Sequence, residues 1–427
     1  MAAGITMKVS YLIELMLSGI GQRGADDLKY HWFETIYGVI REQPWPWNYK
    51  RTGTVTFAPI ASTETYTWVA GAKLIQASGA MSITYVNCGR YIEIDKREYK
   101  VLFIETGLNQ IIVDKPIPAA QGTGIKLTFY RADHASKTTS IYDVQLDSYK
   151  VASTSPEYWK KFGGTRNQGL IGSRPRAYEL RESQSIEPPL YPPLAYGAAG
   201  AGNIGAGTYE YFFTRYDREL DLDSAPGPVL KHTHIASRKQ DFRYDAPGGN
   251  VASNFSYELR LWRSKVGPTG TRYAAWRVGA RDPGAAGGSI EDNLSDQSLI
   301  GAERYYAGSY CIFHWHQWPD TVYSVDVRAI DGWHARPDPN DVLSIGRNNI
   351  VTELLPMGAS TYIELANRGV QEQQMAIVKF RQQMAYLVRR TDKANADDPG
   401  PEDLSYFDGV PDEDSGWDPT SSYRFNG

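Results

Sequence analysis

Cysteine is nearly missing from this chain: Cys88 and Cys311 are the only two in 427 residues. One possible bridge cannot staple a protein of this size, which excludes a disulfide framework and leaves two free, buried thiols as the expectation. Long apolar runs are missing as well. The longest candidate, Val9–Ile20, is interrupted by Glu14, is too short to cross a bilayer and lacks a small-residue cleavage site after it. It is therefore read as a helix of a soluble protein, with no export signal and no membrane partner. Net charge is small too, −4 overall. Ten acids and two bases fall in Thr391–Gly427, leaving 43 bases against 39 acids elsewhere. So nearly neutral a body lacks the concentrated basic face of a nucleic-acid reader. Catalytic signatures are also wanting: there is no P-loop, no G-x-S-x-G elbow and no H-E-x-x-H. Acidic residues are plentiful, but nothing marks out one glycosidase-like pair. No enzymatic activity and no cofactor are expected.

What is present is glycine (40), proline (24), tyrosine (29) and tryptophan (11) in a chain that is 41% hydrophobic. That is a globular balance rich in turns, strands and interfaces, long enough for roughly two to four cores. The clearest periodicity lies in Thr361–Arg390. Ile363, Ala366, Val370, Gln373, Ile377, Phe380, Met384 and Leu387 recur in alternate steps of three and four, which predicts a helix with one apolar stripe. Such a stripe needs a cover. The matching segments stand at the other end of the chain: Val9–Ile20, and a helix opened by Asp26 or Asp27 with Leu28, Trp32, Ile36, Val39 and Ile40 on its apolar face. The two ends are expected to meet in one helical bundle.

From Thr52 the period changes to two. Thr54–Phe57, Tyr66–Val69, Tyr91–Ile94, Tyr99–Ile104 and Ile125–Tyr130 read as strands of a small antiparallel barrel or sandwich. Pro188–Pro193 reads as a stiff linker and Gly197–Gly207 as a flexible one. Thr208–Tyr216, Tyr257–Ser264, Tyr273–Val278 and Ser289–Asp292, with regular turn signals between them, suggest an immunoglobulin-like sandwich. Tyr310–Trp315 and Val322–Ala329 are strands again. The fold class is α+β and multidomain: N-terminal helices in 1–50, a β domain in 51–185, an inserted sandwich in 186–303, a β return in 304–345, a closing helix in 346–391 and an acidic arm in 392–427.

Three local patterns invite chemistry and fall short of it. Gly200–Gly205 spells G-x-G-x-x-G, but no strand–turn–helix context surrounds it, and a linker is expected. Asp217–Asp223 alternates acids like a calcium loop, yet it lacks the sixth-position glycine and has Pro228 where the closing Glu belongs; a solvated hairpin is expected. His314 with His316, and His232 with His234, are spaced to share a strand face. No further ligand stands at a recognised spacing, so structural roles are expected and no metal. The acidic arm differs. Tyr406, Phe407, Trp417, Tyr423 and Phe425 are bulky anchors on a segment without apolar period, the composition of a strand of chain that orders on a partner.

The order of short motifs carries a resemblance. Helices lead to Pro44-Trp45-Pro46-Trp47, then come Gly89–Ile94, Ser155–Trp159, Arg174–Leu180 and Trp318–Tyr323, followed by Asp338–Asp341 and a long closing helix. This layout resembles the head-to-tail adaptor, or connector, proteins of tailed bacteriophages, in the tail-tube-A-like group. The middle stretch, with Gly207–Tyr211 and Leu261–Ser264, looks like an inserted fibronectin type III-like module. The resemblance implies a structural virion protein of the head–tail neck, assembled in the host cytoplasm. It implies a ring, dodecameric in the family, that joins the portal protein to the tail nozzle or tube and continues the channel through which genomic DNA passes. Tyr406, Phe407, Trp417, Tyr423 and Phe425 would dock on the portal. Leu28, Trp32, Ile36, Ile363, Val370, Ile377, Phe380, Met384 and Leu387 would pack the bundle. The alternative from the residues is a glycan-binding tail or surface protein that uses the sandwich and its aromatics, Trp262 and Trp276.

Overall fold

The computed structural model describes residues 5–18, 26–41, 49–153, 171–172, 174–181, 186–235, 237–244, 257–266, 272–282, 289–299, 302–306, 310–331, 342–345, 353–364 and 370–396. Among the described residues strands dominate, arranged in several sheets, with helices at the two ends of the chain, a short helix at Asp296–Leu299 and a 3-10 turn at Tyr85–Asn87. The protein is thus a β-rich, multidomain α+β chain.

The ends meet. Helix α1 (Val9–Ser18), helix α2 (Asp26–Arg41) and helix α3 (Val370–Ala396) share a core with the short helical segments Leu355–Ala359 and Ser360–Glu364. Leu12, Met16, Phe33, Ile36, Ile40, Phe380 and Met384 are all fully buried there. A two-stranded ribbon, Ile5–Lys8 against Val342–Ile345, ties the ends together next to the helices. Gly358 marks the tightest approach: a Cβ on it would sit 2.4 Å from Ile36 Cγ2 and 3.3 Å from Phe380 Cζ. Two helix limits differ from the sequence reading. Thr361–Glu364 is a separate wide turn and α3 starts at Val370; α3 then continues past Arg390 to Ala396, so the first residues of the acidic arm are helical.

Two four-stranded sheets form the central β unit. One runs Asp133–Ser136, Cys311–Trp315, Ala177–Arg181, Ala152–Ser153; the other runs Tyr149–Lys150, Thr138–Leu146, Ser324–Asp331, Tyr49–Val55. Val144, Leu146, Phe313, Trp315, Val325 and Val327 fill the space between them. Each sheet has as an inner strand a segment from beyond residue 310, paired on both sides with strands from before residue 182. The intervening chain is therefore a true insertion, since the central sheets close only when it has returned. A six-stranded antiparallel sheet, Tyr91–Ile94, Arg97–Glu105, Gln110–Val113, Leu74–Ala77, Tyr66–Trp68, Gln121–Ile125, projects from this unit with its own core.

The insertion is a sandwich of a three-stranded sheet, Leu194–Ile204, Arg238–Arg243, Ile290–Asp292, on a larger one built from Gly207–Asp217, Leu230–His234, Glu258–Val266 and Arg272–Arg281. Tyr211, Phe213, Phe242, Leu259 and Leu261 fill its interior. The Gly/Ala run read as a linker is instead the edge strand Leu194–Ile204. Its glycines serve close packing: a Cβ on Gly202 would lie 2.7 Å from the carbonyl of Arg238 on the neighbouring strand.

Candidate functional site

The acidic turn after Gly207–Asp217 is the joint between the insertion and the rest of the protein. It is not solvated. Leu220 and Leu222 enter the core of the six-stranded sheet, and Asp217 is only 2% exposed. Opposite stand two buried arginines, Arg90 and Arg131. Arg90 grips Glu219 through Nε at 3.0 Å and Nη2 at 2.7 Å, while its Nη1 donates to the Ala58 and Phe129 carbonyls. Arg131 Nη2 donates to Asp217 Oδ2, and its Nη1 to the Cys88 carbonyl at 2.9 Å. Asp217 Oδ1 accepts the amides of Glu219 and Leu220, which shapes the turn. Gly89, with φ +85°, leaves the room this requires: a Cβ there would lie 2.8 Å from Arg131 Nη1 and 3.3 Å from Asp217 Oδ2. Burial works against the charge on Arg131, but the carboxylates of Asp217, Glu219 and Asp133 outweigh it and raise its already high pKa further.

The other acids of this turn have protein partners of their own. Asp221 Oδ2 pairs with Lys137 at 2.9 Å and its Oδ1 accepts from Tyr216, while Asp223 accepts from Thr214 and Arg260. The acids are spent on separate partners, and no cluster of metal-ligand type occurs among the described residues. Burial, opposed by Arg260 and Thr214, pushes the Asp223 carboxyl up to about 6.

The histidines also join elements. His314 and Asp133 are cross-strand partners, with His314 Nδ1 2.7 Å from Asp133 Oδ1 and Nε2 3.4 Å from Glu98 Oε2. Tyr91 donates to the other Asp133 oxygen at 2.7 Å. Burial disfavours the imidazolium, yet the two carboxylates prevail and raise the His314 pKa. Burial likewise opposes the Asp133 charge, and His314, Lys100 and Arg131 together hold its carboxyl far below the usual range. His234 lies in the insertion, 3.0 Å from the Tyr211 hydroxyl, in a buried network that includes Asp292 and Arg263. Burial and the neighbouring His232 lower its pKa to about 4. Each of these two histidines is thus engaged by protein groups.

The sequence-derived bundle residues fall as follows. Ile36, Ile363, Phe380, Met384 and Leu387 are buried in the helical core, Trp32 packs at its margin and Ile377 is half-buried. Leu28 and Val370 belong to α2 and α3, but their side chains are outside the described residues, as are the aromatic anchors Tyr406, Phe407, Trp417, Tyr423 and Phe425. Phe33 and Tyr37, absent from the sequence-derived face, are buried and stacked on each other with centroids 5.2 Å apart. A second apolar stripe was also hidden. Met375, Val378 and Tyr386 are 61%, 53% and 56% exposed on α3. With Gln382 they follow a three–four spacing about half a turn from Phe380, Met384 and Leu387, so α3 has apolar residues on both its inner and its outer side.

Trp262 does not offer a surface for sugar stacking. It is fully buried beneath Tyr305, and its Nε1 donates to Thr214 at 2.8 Å. Trp276 is half-buried with Arg304 over its ring. In comparisons with known proteins, no family model, no curated protein and no solved structure matches the chain.

Proposed function

We propose that this protein is a structural subunit of a tailed-phage virion, an adaptor that forms a ring at the head–tail neck between the portal and the tail nozzle or tube. The observation that carries the reading is the helical layer. It is made from both ends of the chain, and its long helix presents Met375, Val378 and Tyr386 outward, opposite the face it buries. A helix with apolar residues on opposite sides suits a layer that continues from one subunit into the next, because a neighbouring subunit can cover the exposed outer stripe. The locked insertion supports the same reading: a module fixed by buried ion pairs can present a platform of constant orientation around a ring.

In this reading the acidic arm, with Tyr406, Phe407, Trp417, Tyr423 and Phe425, docks on the portal, and the insertion is a fibronectin type III-like module facing the tail. Genomic DNA passes without sequence-specific contact, and the chain carries out no catalysis. Removal of residues 397–427, which leaves α3 whole, is expected to abolish co-sedimentation with the portal while the thermal unfolding of the body stays unchanged. Undiminished portal binding by the shortened chain would overturn the docking assignment.

A further inference from the structure

The helical layer has two outward faces that carry exposed apolar side chains, and they differ in charge. On α3, the stripe from Met375 through Val378 to Tyr386 is about 16 Å long. Lys379 and Arg381, both exposed, stand four residues after Met375 and three after Val378, so they flank it, with the exposed acid Glu372 near its start. On α1, Leu12, Ile13 and Met16 face the core, whereas Tyr11 is 51% exposed. Glu14 and Ser18, both exposed, continue the side of Tyr11, and the half-buried Leu15 stands at its margin. Glu14 is the only charged residue of α1, a helix about 15 Å long. Among the described residues of α1, α2 and α3, Tyr11 is the one large apolar side chain exposed outside the α3 stripe. The two helices sit on different parts of the layer, α1 on Leu355–Ala359 and α3 on Ser360–Glu364.

A stripe of this kind can be covered by its own equivalent or by a different surface. Two α3 stripes related by a two-fold axis bring Lys379 and Arg381 of both copies to one seam, where like charges repel, and such a contact closes at a pair. The α1 face is of the same length, has an aromatic ring at its centre and offers an acid without a base of its own helix. We infer that the outer stripe of α3 in one copy packs on the outer face of α1 in the next, Val378 and Tyr386 against Tyr11 and Leu15, with Lys379 and Arg381 around Glu14. The contact rests on the ring reading and completes it. Donor and acceptor faces differ, so every contact leaves one of each free, and copies add in the same sense until a ring closes. A further apolar row, Phe103, Ile112 and Leu74 aligned across three strands with Val69 and Leu102 exposed next to them, lies on the six-stranded sheet outside the layer and serves as the control acceptor.

The test is disulfide trapping of the full chain, alone at high concentration and mixed with the portal protein. Wild type, with Cys88 buried and Cys311 half-buried, gives the background. Tyr11→Cys and Val378→Cys are expected to stay monomeric singly, to give dimers when mixed, and to give a ladder of multimers when combined in one chain. Glu14→Lys in that double variant sets like charges together and is expected to lower the trapped yield several-fold; adding Lys379→Glu and Arg381→Glu is expected to restore it. Dimers from Val378→Cys alone, trapping of Val378→Cys by Leu74→Cys in place of Tyr11→Cys, or no trapping in either mixture would overturn the contact. Trapping in the chain alone together with failure to bind the portal would keep the contact and remove the neck reading.

Discussion

At the scale of single residues, the joint between insertion and body rests on buried charge. Arg131 and Asp217 have side chains only 1% exposed, and Gly89 makes the space for them. Removing one partner of such a pair leaves the other charged and dry, at a cost of about 3–5 kcal/mol, whereas replacing both by apolar residues can be neutral. Arg131→Met is therefore expected to lower the unfolding free energy by an amount in that range, and Arg131→Met with Asp217→Asn to recover part of it, since Asn removes the stranded charge and keeps the oxygen that accepts the Glu219 and Leu220 amides. A double variant no more stable than the single one would show that the pair is not coupled. His314 gives a pH signature. Its pKa is raised in the folded protein, so its contribution is fully present below the unfolded value of about 6.5 and is lost as pH rises through the raised value. The lower limit is set by Asp133, whose depressed carboxyl keeps the pair intact until strong acid. The stability difference between wild type and His314→Gln, measured by denaturant unfolding from about pH 5 to pH 9, is expected to shrink with rising pH. A difference that stays constant would show that the imidazolium is not what stabilises the contact.

At the scale of elements, periodicity made the helical core legible in the sequence and long-range pairing did not. Phe380, Met384 and Leu387 stand out because one helix repeats its own environment every turn. Phe33 and Tyr37 were missed because aromatics on both sides of α2 blur its face. The Gly/Ala strand was missed because its residues carry no side-chain signal, and its place depends on Arg238 and Lys239 of another strand. Arg131 and Asp217 lie 86 residues apart, so no spacing rule couples them; the only trace was a run of four acids against the single Arg218. Two element-level outcomes follow. Gly358→Ala drives a Cβ into Ile36 at the crossing of the chain ends and is expected to cost about 1–3 kcal/mol, read as a lowered unfolding midpoint. Val378→Asp with Tyr386→Asp alters only exposed positions of α3, so the unfolding midpoint should hold while assembly into a ring, followed by sedimentation with the portal, is lost. Normal assembly by that variant would remove the outer stripe from the subunit contact.

At the scale of the whole molecule, the chain leaves a pair of half-built sheets, makes a complete sandwich, and returns to close the sheets before its last helix joins the first two. Body and insertion are thereby fixed to each other by the Arg90 and Arg131 contacts instead of a swinging linker. A β-rich body joined to a helical layer made from both chain ends is what the proposed neck subunit calls for. The most direct test of the proposed function is quantitative mass spectrometry of purified phage particles from the source of this chain, with its copy number compared with that of the portal. About one copy per portal subunit is the expected result. Absence from the particle, or copies in the hundreds, would contradict the adaptor assignment.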